Sequence, residues 1–186
     1  GAGVDVLSLT PRKQTTIDGQ IFKVSERVTG VTGELHAKYQ DENWFIAAKT
    51  LYATNLTHTC GLGGFGVTAI DNRTGEQQYA PYHHSATWLN IVYGKKWRPG
   101  LFVGYLKNLG IHNPIVGQTY GTGLDVDQLV STNWQLSYNL PHWRFGVEYT
   151  PSTAWFGQAD KADGGRVKHT HHVSNHRVVG VMVYTF

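Results

Sequence analysis

Apolar and polar residues alternate with a period of two along most of this chain, the spacing of strands with two unlike faces. The clearest run is Gln128 to Leu140. Val130, Thr132, Trp134, Leu136, Tyr138 and Leu140 fall on one face, and Leu129, Ser131, Asn133, Gln135, Ser137 and Asn139 on the other. After Pro141-His142-Trp143, Phe145, Val147 and Tyr149 alternate with Arg144, Gly146 and Glu148. Earlier, Leu35, Ala37 and Tyr39 alternate with Glu34, His36, Lys38 and Gln40. Trp44, Ile46, Ala48 and Tyr52 then stand against Lys49, and Thr87, Leu89, Ile91 and Tyr93 against Asn90. Phe102, Gly104 and Leu106 read as apolar positions against Val103, Tyr105 and Lys107. His176 to Phe186 is the last strand, and Val4 to Leu9 is a poorer eighth. No long run of apolar residues at helical spacing competes with these.

The connections predict the architecture. Three are tight, around Glu42, Trp97 and His142, and four are long, at 10–30, 56–85, 111–126 and 157–175. Strands of roughly ten residues with short turns at one end and long loops at the other are the pattern of a membrane barrel. The expected fold is therefore all-β: a single domain over 1–186, an antiparallel up-and-down transmembrane β-barrel of about eight strands, complete or part of a larger one. Trp44, Trp97 and Trp143 each sit at a tight turn, with Tyr39, Tyr93, Tyr138, Phe145 and Tyr184 close by, as an interfacial aromatic girdle requires. Tyr52, Trp155 and Phe156 would mark the opposite interface. A soluble lipocalin-like barrel would need the reverse assignment, with the apolar face inside.

Composition strengthens this reading. Only 16% of the 186 residues are charged, against ~25% in an ordinary soluble domain, while 12% are aromatic and 22 are glycine. A mean hydropathy of −0.32 is compatible with a barrel, because only alternate residues meet lipid. No apolar stretch is long enough for a transmembrane helix. The net charge of +3 without a Lys/Arg run argues against nucleic acid as a partner. The lone Cys60 excludes an internal disulfide and a Cys-based zinc cluster. The chain begins Gly-Ala-Gly without an initiating Met, which predicts a processed form or a portion of a longer polypeptide.

Phe186, preceded at alternate positions by Tyr184 and Met182, resembles the C-terminal signal of outer-membrane β-barrels, although Val181 stands where the usual glycine would be. Asn175-His176-Arg177-Val178-Val179 is similar to the endings of porin-like proteins of Bacteroidetes type. These resemblances imply insertion into the bacterial outer membrane by the barrel-assembly machinery, with outer-membrane lipid and lipopolysaccharide as surroundings. Trp44, Trp97, Trp143, Tyr184 and Phe186 are the expected interface and assembly residues.

The expected water-facing wall carries Glu34, His36, Lys38, Lys49, Asn90, Lys107, Asn133, Gln135, Arg144, Glu148 and Arg177. Lys38, Lys49, Lys107, Arg144 and Arg177 outnumber Glu34 and Glu148, so a pore so lined would weakly prefer anions. The leading expectation is a porin-like channel for passive diffusion of small polar solutes, with no cofactor, and with homo-oligomerisation left open. The first alternative is a closed eight-stranded barrel with a structural, adhesive or binding role through its long loops. The second is an enzyme. His172-Val173-Ser174-Asn175 resembles the His-x-Ser-Asn motif of a lipid A deacylase family, which implies His172 as base and Ser174 as nucleophile. No acidic residue follows it to orient the histidine. The histidines at 169, 171, 172 and 176, with His83-His84, could be metal ligands, but an exposed polar loop is the simpler reading, and no metal site is expected. Gly61-Leu62-Gly63-Gly64-Phe65-Gly66 lacks the Lys-Ser/Thr ending of a phosphate loop.

Overall fold

The structure, a computed structural model, describes residues 1–59 and 61–186; Cys60 lies outside the described residues. In chain order the strands are β1 (Ala2–Leu9), β2 (Gln14–Ile17), β3 (Gln20–Lys23), β4 (Val28–Gln40), β5 (Trp44–Thr54), β6 (Gly63–Ile70), β7 (Gln77–Pro81), β8 (His83–Tyr93), β9 (Trp97–Gly110), β10 (Thr119–Thr122), β11 (Val126–Asn139), β12 (Trp143–Asp160) and β13 (Arg166–Tyr184). Eight of them form one antiparallel sheet in the order β1-β4-β5-β8-β9-β11-β12-β13. It is a plain up-and-down meander, in which the remaining strands belong to excursions at one end. No helix among the described residues is long and apolar enough to cross a membrane.

The tight turns form because their residues satisfy the backbone locally. Asp41 Oδ1 accepts from the amides of Asn43 (2.8 Å) and Trp44 (2.7 Å), the side-chain-to-backbone closure that favours Asp in turns. Neighbouring turns are also laced together. Gly94 N donates to Asn43 O (2.7 Å), Asn139 N to Lys96 O (2.8 Å) and Thr185 N to His142 O (2.9 Å).

Register sets the faces. Tyr39, Ile46, Ile91, Leu101, Trp134, Tyr149 and Val178 lie directly opposite one another across seven consecutive strands. The next row toward the tight turns carries Trp44, Tyr93, Pro99, Leu136, Val147 and Gly180. Each successive hairpin reaches further down this ladder, so the strand ends are staggered, as tilted strands require. The opposite face is concave and carries most of the sheet's charged side chains among apolar ones. Phe45 and Val92 of β5 and β8 line one cleft with Arg144 and Val181 of β12 and β13, which requires the sheet to curl with its polar side inward.

The sheet does not close. Among the described residues β1 pairs only with β4, and β13 only with β12. The expected strand at Val4–Leu9 is real and starts at Ala2, but its 8 residues do not pair with the 19 of β13. Three of the expected long connections are present. The fourth, 157–175, is instead a hairpin: β12 runs on to Asp160, β13 begins at Arg166, and a short 3-10 turn over Lys161–Asp163 joins them, its tip held against the third connection by Ile111 N donating to Gly164 O (2.7 Å) and Ile115 N to Lys161 O (2.8 Å). Its sequence reads as a loop because Lys, His and Thr replace the apolar alternation, yet cross-strand pairing from Pro151↔His176 to Asp160↔Arg166 holds it extended.

Buried side chains gather at the long-loop end rather than within the sheet. The connections there fold into a cap built on a three-stranded sheet, β10-β6-β7, with Tyr82, Ile111 and Ile115 packed at its centre against Ala80 and Leu124. Gly64 and Gly121 face each other across β6 and β10, where a Cβ on either would collide with the other strand's backbone. Glu26 ties the first excursion to the second. Its nearly inaccessible carboxylate receives a bidentate pair from Arg12 Nε and Nη2 (both 2.7 Å), the amide of Gln77 (2.6 Å) and the hydroxyl of Tyr79 (2.9 Å). The Arg12 hydrogen bonds, outweighing burial, hold the Glu26 carboxyl below its ordinary 4.5. Burial and then Glu26 push the Tyr79 phenol up to about 12.

Glu26→Ala removes the acceptor of four donor atoms, two on Arg12 and one each on Gln77 and Tyr79, and the cap is expected to lose about 2–3 kcal/mol, read as faster hydrogen exchange at Gln77 and Tyr79 than in the large sheet. A depressed carboxylate stabilises the fold above its unfolded value. The wild-type cap is therefore expected to hold above pH 4.5 and to loosen as pH falls through the lowered folded value. Exchange at Gln77 independent of pH across that range would contradict this role.

Candidate functional site

Ten of the expected water-facing residues share the concave face: Glu34, His36 and Lys38 on β4, Lys49 on β5, Asn90 on β8, Asn133 and Gln135 on β11, Arg144 and Glu148 on β12, and Arg177 on β13. They form cross-strand polar contacts. Lys49 Nζ is ion-paired with Glu34, whose other oxygen lies 3.4 Å from His36 Nδ1. Asn133 Nδ2 donates to Thr150 Oγ1 (2.6 Å) and to Glu148 Oε2 (3.3 Å), and the Ser131 and Ser152 hydroxyls meet at 2.7 Å.

Lys107 is the exception and corrects the reading of β9. It stands opposite Ser85 and Gln128 on the convex face, where it pairs with Asp127 at 2.7 Å. Phe102, taken as outward because it is apolar, points inward instead. It lies opposite Asn90 and Asn133, with Trp88 at 6.0 Å between ring centroids. The same parity error hid Arg98, an inward residue flanked by the outward Trp97 and Pro99. Alternation counted from Trp97, rather than from the apolar Phe102, would have found it. The inward charges are thus Lys38, Lys49, Arg98, Arg144 and Arg177 against Asp5, Glu34 and Glu148, still an excess of cations.

The convex face carries an apolar band with nothing over it among the described residues. Val4, Trp134 and Met182 are 78%, 56% and 68% exposed, values that in a water-soluble monomer would be spread among polar neighbours rather than aligned in rows. Toward the tight turns the band ends in aromatic pairs. Trp44–Tyr93 and Trp97–Tyr138 have ring centroids 4.5 Å apart, and Trp143–Tyr184 4.7 Å, each pair directly opposed across two strands. Phe186 follows Tyr184 at 6.3 Å. At the other end Tyr52, Ser85, Lys107, Gln128 and Trp155 share one mostly polar row, with the Tyr52 hydroxyl 2.8 Å from His83 Nδ1. Phe156 does not join them; it faces the concave side opposite His171.

His172 and Ser174 lie in mid-strand on β13, both on the convex face above the apolar band, opposite Trp155 and Thr153. The Ser174 hydroxyl is engaged with Thr153 Oγ1 at 2.9 Å, and the His172 ring has no hydrogen bond or ion pair among the described residues. The base–nucleophile contact needed for activated serine chemistry is not formed there. His169 to His176 is part of a strand rather than a loop, which spreads its rings over two faces, and His176 Nδ1 meets the Tyr149 hydroxyl at 2.8 Å. No group of three or more His, Cys, Asp and Glu suited to a metal ion occurs among the described residues.

No protein-family model, no curated protein and no solved structure matches this chain. Ser174→Ala and His172→Ala are each expected to leave the acyl-chain number of lipid A unchanged in membranes carrying the protein, by mass spectrometry. Loss of a deacylated species in either variant alone would restore the hydrolase reading.

Proposed function

We propose that this chain forms wall of a porin-like channel in a bacterial outer membrane, through which small polar solutes diffuse passively. One observation carries the reading. The large sheet exposes rows of apolar side chains on its convex face, bounded by paired aromatics, and turns a charged, hydrogen-bonding face inward. Lipid favours such a convex face, and Trp and Tyr favour its headgroup boundary. A lipocalin-like interior would instead be apolar, and Lys, Arg and Glu occupy that side here.

Two unpaired edges favour a share in a larger barrel over a closed eight-stranded one. Open edges with unsatisfied backbone groups are not tolerated within hydrocarbon. Further strands completing β1 and β13 would satisfy them and would widen the interior toward the ~16 strands of an aqueous channel. Tyr184 and Phe186 then lie at the periplasmic rim, where the barrel-assembly machinery reads them, and the cap lies on the outer side. Neither a cofactor nor an enzymatic role enters this reading.

The protein extracted from membranes is expected to be monodisperse only in detergent. In planar bilayers it should produce stepwise conductance, with a reversal potential in a KCl gradient displaced modestly toward chloride by the excess of inward cations. A monodisperse species without detergent would remove the membrane reading. A clear cation preference would remove the proposed role of the wall charges while leaving the channel.

A further inference from the structure

The concave face holds a cleft of 430 Å³ near the tight-turn end, within the range of small-molecule sites. Its floor is made of two small residues, Ser137 of β11 and, directly opposite, Gly146 of β12. Arg98 flanks Ser137 from β9, and Arg144 rises from the next inward row of β12. Gln135 lies flat over Gly100, where even a Cβ would collide with it, and together with Glu148 it bounds the cleft on the side toward the loops. Phe45, Val92 and Val181 supply an apolar wall.

Two features make this more than a hollow. Neither guanidinium forms an ion pair among the described residues, although Arg98 Nε is fully buried without a hydrogen-bond partner. A buried donor without an acceptor marks a wall short of one, and because this Nε is closed to solvent a ligand in the cleft would meet the outer nitrogens of the fork. Glu148 is the one carboxylate lining the cleft, and one of its oxygens already accepts from Asn133. The wall therefore offers two free guanidiniums beside an apolar surface, with its own acid partly engaged.

We propose that this cleft is a binding site for small organic carboxylates with a short apolar body. The carboxylate accepts from Arg98 and Arg144, and the body lies against Phe45, Val92 and Val181. Arginine suits this role because its planar fork matches a carboxylate bidentately. As a statement about which solutes pass, this rests on the channel reading above; binding itself does not.

Benzoate is a suitable probe, titrated into the detergent-solubilised protein by calorimetry, with benzamide and inorganic phosphate in parallel. Benzoate is expected to bind more tightly than either. Arg98→Gln with Arg144→Gln is expected to weaken benzoate about tenfold or more, while Arg98→Lys with Arg144→Lys, which keeps the charge but not the fork, weakens it less. Circular dichroism confirms that the variants keep their β-structure, and the lysine pair serves as the test should the glutamine pair fail to fold. Equal binding of benzoate and benzamide, tighter binding of phosphate, or affinity unchanged in the folded variants would each overturn the site. Conductance measured in KCl alone reports separately on the channel, so loss of one result does not mimic loss of the other.

Discussion

The parity of one long antiparallel meander governs this molecule. Because successive side chains on a strand point to opposite sides, the register between the tight turns and the irregularities at Val126/Gln128, Phe156/Gln158 and His83/His84 assigns the residues of the large sheet to one of two surfaces. The row from Tyr39 to Val178 runs pair by pair across seven strands, and the row from Trp44 to Gly180 extends the same surface toward the tight turns, so apolar exposure on the convex side is collective. A sheet of this kind has no core of its own. Its hydrogen-bond ladders hold it together, and its apolar surface has to be covered from outside. In the proposed membrane setting lipid covers the convex face, and the polar face is left for water and solutes.

The cap supplies what the sheet lacks. Tyr82, Ile111 and Ile115 come from two different connections and make the hydrophobic cluster, while Glu26 and Arg12 bind a third connection to it. Its polar satisfaction is uneven: a single carboxylate answers an arginine, an amide and a phenol, while the Tyr82 hydroxyl and both ring nitrogens of His84 are buried without a hydrogen bond among the described residues. The short turns at the other end need no comparable device, since Asp41 and the turn-to-turn amide bonds satisfy them directly.

The hairpin of β12 and β13 shows how polarity can conceal a strand. Above Tyr149 the convex face changes from apolar to Thr153, Trp155, His172, Ser174 and His176, and the period-two signal fades. The strands continue because pairing, not side-chain contrast, maintains them. This also accounts for the motif around Ser174. A His-x-Ser spacing in a strand puts both side chains on one face, but there the serine hydroxyl is taken up by Thr153 across the ladder.

The strand class, the location of all three tight turns, the alternation on most strands and the aromatic residues beside the turns could be read along the chain, because each of these depends on residues close in sequence. The alternation also placed ten wall residues on a common face, since one parity choice per strand suffices when apolar and polar residues separate cleanly. It failed on β9, where glycines and Phe102 blur that contrast, and so exchanged Lys107 for Arg98. The direction in which the sheet curls, the absence of pairing between β1 and β13, the assembly of the excursions into a cap and the meeting of Arg98 and Arg144 at one cleft came from the folded molecule. Those outcomes depend on residues far apart in sequence, whose meeting is set by cross-strand register and by packing among loops, and neither leaves a periodic trace along the chain.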